Sequence, residues 1–149
     1  MGVNLEAIGK TYPPVIYAVG REKVAEFALA TGETEPLHLD VEAARAAGHA
    51  DLVAPPMFSV VYQWRAVTPA IFDPEIGIDF ARLLHTAQEF RWGSLVIAGD
   101  EVTTITRVAS ISERAGLELF SLEAESVNQR GEVVATGTWS NVVRPAEQP

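Results

Sequence analysis

Apolar positions recur at helical spacing in the first half of this chain and at strand spacing in the second. "TYPPVIYAV" opens with two prolines and continues with β-branched and aromatic residues, which predicts a short strand over Val15 to Val19. In "REKVAEFALAT" that follows, Val24, Phe27, Ala28 and Thr31 fall on one helical face and charges on the other, a surface helix ended by Gly32. A polar loop comes next. Asp40 is a good N-cap for a second short helix, "VEAARAA", which Gly48 closes. Pro55 and Pro56 suit the first turn of a third helix, where an N–H has no partner in any case. Met57, Phe58, Val60, Val61, Trp64 and Val67 cover most of its circumference, and a helix apolar nearly all round is a buried one. Thr68 before Pro69 is expected to end it.

From Leu83 the character changes. "LLHTAQEFRW", "EVTTITRVASIS", "LELFSLEAESVN" and "EVVATGTWSNVVR" are rich in Thr, Val, Ile and aromatics, with "ERAG" and "QRG" as turns between the last three. Long antiparallel strands joined as a meander are predicted. In the last one, Val133, Ala135 and Trp139 fall on one side, and Val134 and Val142 on the other. The predicted class is α+β: one buried helix wrapped by a curved antiparallel sheet of about five strands, the layout of a hot-dog domain. A single domain spans 1–149, with a frayed tail over 144–149.

Composition narrows the function. Hydrophobic residues make up 48% of 149, enough for a sizeable core and a surface that favours association. There is no cysteine, which excludes a disulfide scaffold, a Cys-based zinc site and a Cys nucleophile. Net charge is −9, with 11 basic against 20 acidic residues, the wrong balance for nucleic acid. No apolar run approaches a membrane span, and the N-terminus has no basic stretch followed by an apolar one. Met-Gly opens the chain, but Glu6 stands where the myristoylation pattern requires Ser or Thr. The expectation is a soluble cytoplasmic protein.

The loop "GETEPLH" at 32–38 carries two carboxylates and a histidine. With the Ala-rich "HLDVEAARAAG" after it and "APPMF" at the start of the long helix, it resembles the hydratase motif of the MaoC-like hot-dog family. That family's pattern is Gly-Asp-x-Asn-Pro-Leu/Ile-His. Gly32, Pro36, Leu37 and His38 match it. "IGKTYPPVIYAVGREKVAEFA" and "LLHTAQEFRW…VIAGDEV" are more similar to the N-terminal MaoC dehydratase branch, which includes subunits of actinobacterial (3R)-hydroxyacyl-ACP dehydratases. The similarity runs over residues 8 to 144.

The resemblance implies reversible addition of water to a trans-2-enoyl thioester, carried on CoA or acyl carrier protein, with no cofactor. That chemistry needs a base, an acid and a donor for the enolate-like oxygen. By resemblance, Glu33 and His38 are the catalytic pair. His38 handles the α-carbon proton, and Glu33 positions the water or leaving hydroxyl; which one is acid and which is base stays open. Glu35 stands at the family's Asn position. Pro56 stands where active hydratases carry a glycine whose N–H binds the thioester oxygen, and proline has none. Met57 or Phe58 would donate instead, or a partner subunit would. Trp64 is a candidate lining for an acyl tunnel. The branch also implies a homodimer, or a heterodimer in which this chain is a non-catalytic acyl-binding subunit. A hot-dog thioesterase shares the fold and the thioester.

The remaining polar residues have simpler readings. His85, on a predicted strand, is a cross-strand hydrogen-bonding residue or lines the site. His49 after Gly48 is read as structural or exposed, and Asp100 as shaping the turn after Gly99. Trp64, Trp92 and Trp139 are packing residues of the core or an interface. The three histidines fit no metal-ligand spacing, and there is no Gly-x-Ser-x-Gly elbow or phosphate loop. Arg65, Arg82 and Arg91 are the candidates for a basic patch toward an anionic carrier.

Overall fold

A short strand, β1 (Val15–Ala18), leads into three helices: α1 (Arg21–Ala30), α2 (Val41–Ala46) and α3 (Ser59–Ile71). Four long strands follow: β2 (Leu83–Trp92), β3 (Glu101–Arg114), β4 (Leu117–Val127) and β5 (Val133–Val143). The structure, a computed structural model, describes residues 2–146. The strands form one antiparallel sheet in the order β1-β3-β4-β5-β2, and α3 packs on its inner face, the hot-dog arrangement.

The local signals act where they stand in the sequence. Gly32, at φ +76°, ends α1 in a Schellman turn, with Glu33 N–H on Ala28 O at 2.9 Å and Gly32 N–H on Leu29 O at 3.2 Å. Asp40 caps α2 by accepting from Glu42 and Ala43 N–H. Ala115 and Gly116, both at positive φ, make the two-residue turn between β3 and β4.

α3 is tied to the sheet by polar contacts as well as by packing. Gln63 is fully buried. Its amide donates to Ala124 O and Ser126 Oγ, each at 3.1 Å, and its Oε1 accepts from Trp139 Nε1 at 3.1 Å. Thr106 Oγ1 donates to Ala66 O at 2.9 Å. Around these pins, Val67, Ala70 and Ile71 pack with Val108, Phe120, Leu122 and Trp139. A second apolar cluster gathers Phe58 and Tyr62 with Tyr17, Val24, Leu52, Val102 and Val134.

Four expectations change. Pro69 does not end α3: the helix runs two residues further, to Ile71, because Ala70 and Ile71 are buried in the core and a proline this close to the C-terminus removes only one donor. The helix is not covered all round either, since Met57, Trp64 and Phe72 lie 45–56% exposed along one side. Val133 does not share the inner face with Ala135 and Trp139. A register shift in the β4–β5 ladder pairs Ser126 with Ala135 but Val127 with Val133, so Val134 and Ala135 are both buried and Val133 faces out. Finally, Arg144 is held rather than frayed: its N–H donates to Arg82 O at 3.0 Å, and its carbonyl accepts from the Arg82 guanidinium at 2.6 Å. Residues 147–149 of the expected tail lie outside the described residues.

Candidate active site

The polar loop is fixed against the segment that feeds the long helix. Pro36–His38 forms a single 3-10 turn, with His38 N–H on Glu35 O at 3.1 Å and Asp40 N–H on Pro36 O at 2.8 Å. Val53 N–H then donates to Leu37 O at 2.9 Å. On its other side the same segment is laced to the chain before β3, with Ala54 N–H on Val96 O at 2.8 Å and Ala98 N–H on Leu52 O at 2.9 Å. The Val53 carbonyl is therefore a rigid acceptor, and His38 Nδ1 lies 2.6 Å from it. A carbonyl cannot donate, so Nδ1 carries the hydrogen. In the neutral ring Nε2 is then the nitrogen with a free lone pair.

His38 lines a cavity of about 280 Å³ between this loop, the start of α3 and the end of β2. Its walls are mainly apolar, with Leu37, Val53, Phe58, Val96 and Val134 among them. His49 also lines it, and among the described residues no Asp or Glu does. The remaining polar side chains of the lining are Ser59, Tyr62, Trp92 and Ser94, and the first three bond one another. Burial pushes the Tyr62 hydroxyl up to about 12, with Ser59 opposing, so this phenol stays neutral across the physiological range.

α3 is preceded by a 3-10 turn over Pro56–Phe58. Pro56 has no N–H, the Phe58 N–H is bonded to Pro55 O at 2.8 Å, and the Ser59 N–H turns back to Pro56 and Met57 carbonyls. Among the described residues, none accepts from the Met57 N–H, the one donor left at this helix start.

Of the residues picked from the sequence, His38 and Phe58 line the cavity. Glu33, half-buried just after the Schellman turn, does not, and Glu35 is an exposed residue before the 3-10 turn. Met57 is outside the lining, and Trp64 packs on Trp139 with ring centres 6.1 Å apart. His85 stacks on Trp139 at 5.4 Å, and its Nε2 lies 3.1 Å from Gln88 Oε1. Arg65 sits over the Tyr17 ring, while Arg82 and Arg91 pair with Asp79 and Glu89. His49, Ser59, Tyr62 and Trp92 were not picked as site residues. Only the helical spacing of Phe58, Ser59 and Tyr62 gives a signal for them in the sequence. Among the described residues no three His, Asp or Glu side chains gather as metal ligands, and no helix is long and apolar enough to cross a membrane.

Residues 6–137 match the family described as FAS1-like, dehydratase domain region. A UPF0336 protein of Clavibacter michiganensis is 46% identical over 145 residues, covering 97% of each chain. One of Streptomyces griseus is 39% identical over 149 residues, covering 99% of each. Among solved structures, a MaoC-like dehydratase superposes with TM-score 0.85 at 29% identity, over 96% of this chain but 44% of its own, so this chain spans less than half of it. The HadBC (3R)-hydroxyacyl-ACP dehydratase complex of Mycobacterium tuberculosis superposes with TM-score 0.78 at 27% identity, over 91% of this chain and 96% of that one.

Proposed function

Because the chain belongs to the FAS1-like dehydratase-region family, with UPF0336 proteins as relatives along its whole length, we propose that it acts on acyl thioesters. The reaction is addition of water to a trans-2-enoyl thioester, or its reverse from a (3R)-3-hydroxyacyl thioester. The observation that carries this reading is His38: its tautomer is set by the Val53 carbonyl, and it lines an apolar cavity beside the start of α3.

In the dehydration direction, His38 Nε2 takes the proton from C2 of the thioester. The electron pair of that C–H bond becomes the second bond between C2 and C3. The C3–O bond breaks, and the hydroxyl leaves as water after taking a proton from an acid. Glu33 is the proposed acid, and in the hydration direction it positions the attacking water; for either role its carboxyl must turn from the loop into the cavity, which it does not line here. The Met57 N–H is the donor proposed for the thioester oxygen, at the positive end of α3. Phe58 would bound the acyl group, with Glu35, Trp64 and His85 placed to meet the carrier or the neighbouring subunit. The carrier, CoA or acyl carrier protein, is cytoplasmic in this reading.

A second reading has its own support. Among the described residues no carboxylate lines the cavity, and Pro56 removes the first amide of the helix start. Both fit an acyl-binding subunit whose partner supplies the acid and the missing donor. The partner would be a second hot-dog chain, as in the HadBC complex. Strand β2 is a sheet edge with Leu84 and Trp92 exposed, and it flanks the open side of α3 at Trp64. That is the surface proposed for a homodimer or heterodimer.

Incubation of the purified chain with crotonyl-CoA and a longer enoyl-CoA, followed by enoyl absorbance and product mass, tests both readings. The first expects water addition that is lost in His38→Ala. Turnover only after a second hot-dog subunit is added would transfer the chemistry to the partner. Release of free acid would replace both readings with a thioesterase.

A further inference from the structure

One wall of the cavity is built so that its polar atoms satisfy each other. Tyr62 Oη donates to Ser59 Oγ at 2.9 Å, and Ser59 Oγ donates to Pro56 O at 2.8 Å. Trp92 Nε1 donates to Pro56 O at 2.8 Å, with Ser59 Oγ 3.1 Å away. None of these three side chains has a donor left for a ligand. What it presents to the cavity is ring carbon and methylene, a surface suited to an aliphatic tail and unsuited to a hydroxylated or charged one.

The three side chains are not equally fixed. Ser59 and Tyr62 stand on α3 and are 1–2% exposed. Trp92 is the last residue of the edge strand β2 and is 52% exposed, so its indole is the part of the wall with solvent behind it. The backbone after it cannot yield. Gly93 N–H and Ser94 N–H are bonded to Val134 O and Val133 O, each at 3.0 Å, and Gly93 has no room for a Cβ against the Val133 carbonyl. The Trp92 ring, pinned to the helix start through one N–H, is therefore the adjustable closure of the cavity.

We propose that Trp92 determines acyl chain length, closing the cavity behind a short to medium aliphatic tail. The size agrees: about 280 Å³ lies just below the range of small-molecule sites, roughly 300–1,000 Å³. This inference rests on the acyl-thioester reading above, but it concerns binding and does not require turnover.

Binding of butyryl-, octanoyl-, dodecanoyl- and palmitoyl-CoA to the intact chain, by calorimetry or fluorescence, tests it. Wild type is expected to bind octanoyl-CoA or shorter best. Trp92→Ala should shift the preference toward dodecanoyl- or palmitoyl-CoA by about tenfold, since methylenes now enter space the indole held. Trp92→Leu, a smaller disturbance, should shift it the same way if the alanine variant does not fold, and Trp92→Phe should keep the wild-type order. Equal binding of palmitoyl- and octanoyl-CoA by wild type, or an unchanged order in folded Trp92→Ala or Trp92→Leu, overturns the proposal. Binding without hydration by any preparation would remove the catalytic reading and leave this one standing. No binding at any length would remove both.

Discussion

His38 and Val53 are joined ring to backbone, Nδ1 to carbonyl oxygen at 2.6 Å, across 15 residues of sequence. The bond sets which nitrogen is available and holds the ring at the cavity wall. A substitution that keeps the bond but lacks the second nitrogen separates orientation from chemistry. In His38→Asn the side-chain amide can still donate to Val53 O, yet nothing stands at the Nε2 position. The fold should survive, with a melting temperature close to wild type. Hydration of an enoyl-CoA should fall by about 10²–10⁴-fold, the range for losing a general acid or base.

The Gln63 contacts make a stability prediction. Both donors and one of the two acceptor positions of its buried amide are filled by Ala124, Ser126 and Trp139, and Gly137 leaves space for its Oε1. Gly137→Ala would drive a methyl into Gln63 and the Phe90 ring. Gln63→Ala would leave the Trp139 N–H buried without a partner. Each should cost about 1–3 kcal/mol in urea denaturation, and the two together less than their sum.

Ala115 takes φ +53° in the β3–β4 turn, a left-handed conformation that costs an L-residue with a Cβ roughly 1–2 kcal/mol. Asparagine tolerates it better. Ala115→Asn should raise stability by about 0.5–1 kcal/mol, read as a higher urea midpoint with the same slope.

Two groups give opposite pH limbs. Burial pushes the Asp73 carboxyl up, but hydrogen bonds from Lys10 and Tyr12 outweigh it and hold it below the usual carboxylate range. A carboxyl lowered by folding stabilises above its unfolded value, near 3.9, and that contribution is lost as pH falls through the folded value. Burial raises the Tyr62 hydroxyl to about 12. A phenol raised by folding stabilises fully below its unfolded value, near 10, and the contribution is lost as pH rises toward 12. Urea midpoints should therefore decline below about pH 4 and above about pH 10. Asp73→Asn should flatten the acid limb and Tyr62→Phe the alkaline one.

Local chemistry was legible in the sequence, and long-range geometry was not. Gly32, Asp40 and Gly48 mark the ends of α1 and α2 by their own conformations or side chains, and "ERAG" names its turn. The motif also pointed to His38. Pro69 misled because the burial of Ala70 and Ile71, a tertiary fact, carries the helix past it. Val133 misled because a bulge, invisible to a period-two pattern, turns it outward. Trp92 and His49 enter the cavity only because β2 returns to pair with β5 and the segment after α2 folds back under the loop. No spacing along the chain encodes those meetings.

The central claim is that His38 moves the proton at C2 of an acyl thioester. Incubation of a (3R)-3-hydroxyacyl-CoA with the protein in deuterated water, followed by NMR of the C2 position, measures that transfer directly. The account predicts deuterium at one face of C2 with wild type and none above background with His38→Asn. Equal incorporation by both proteins, or none by either, would contradict it.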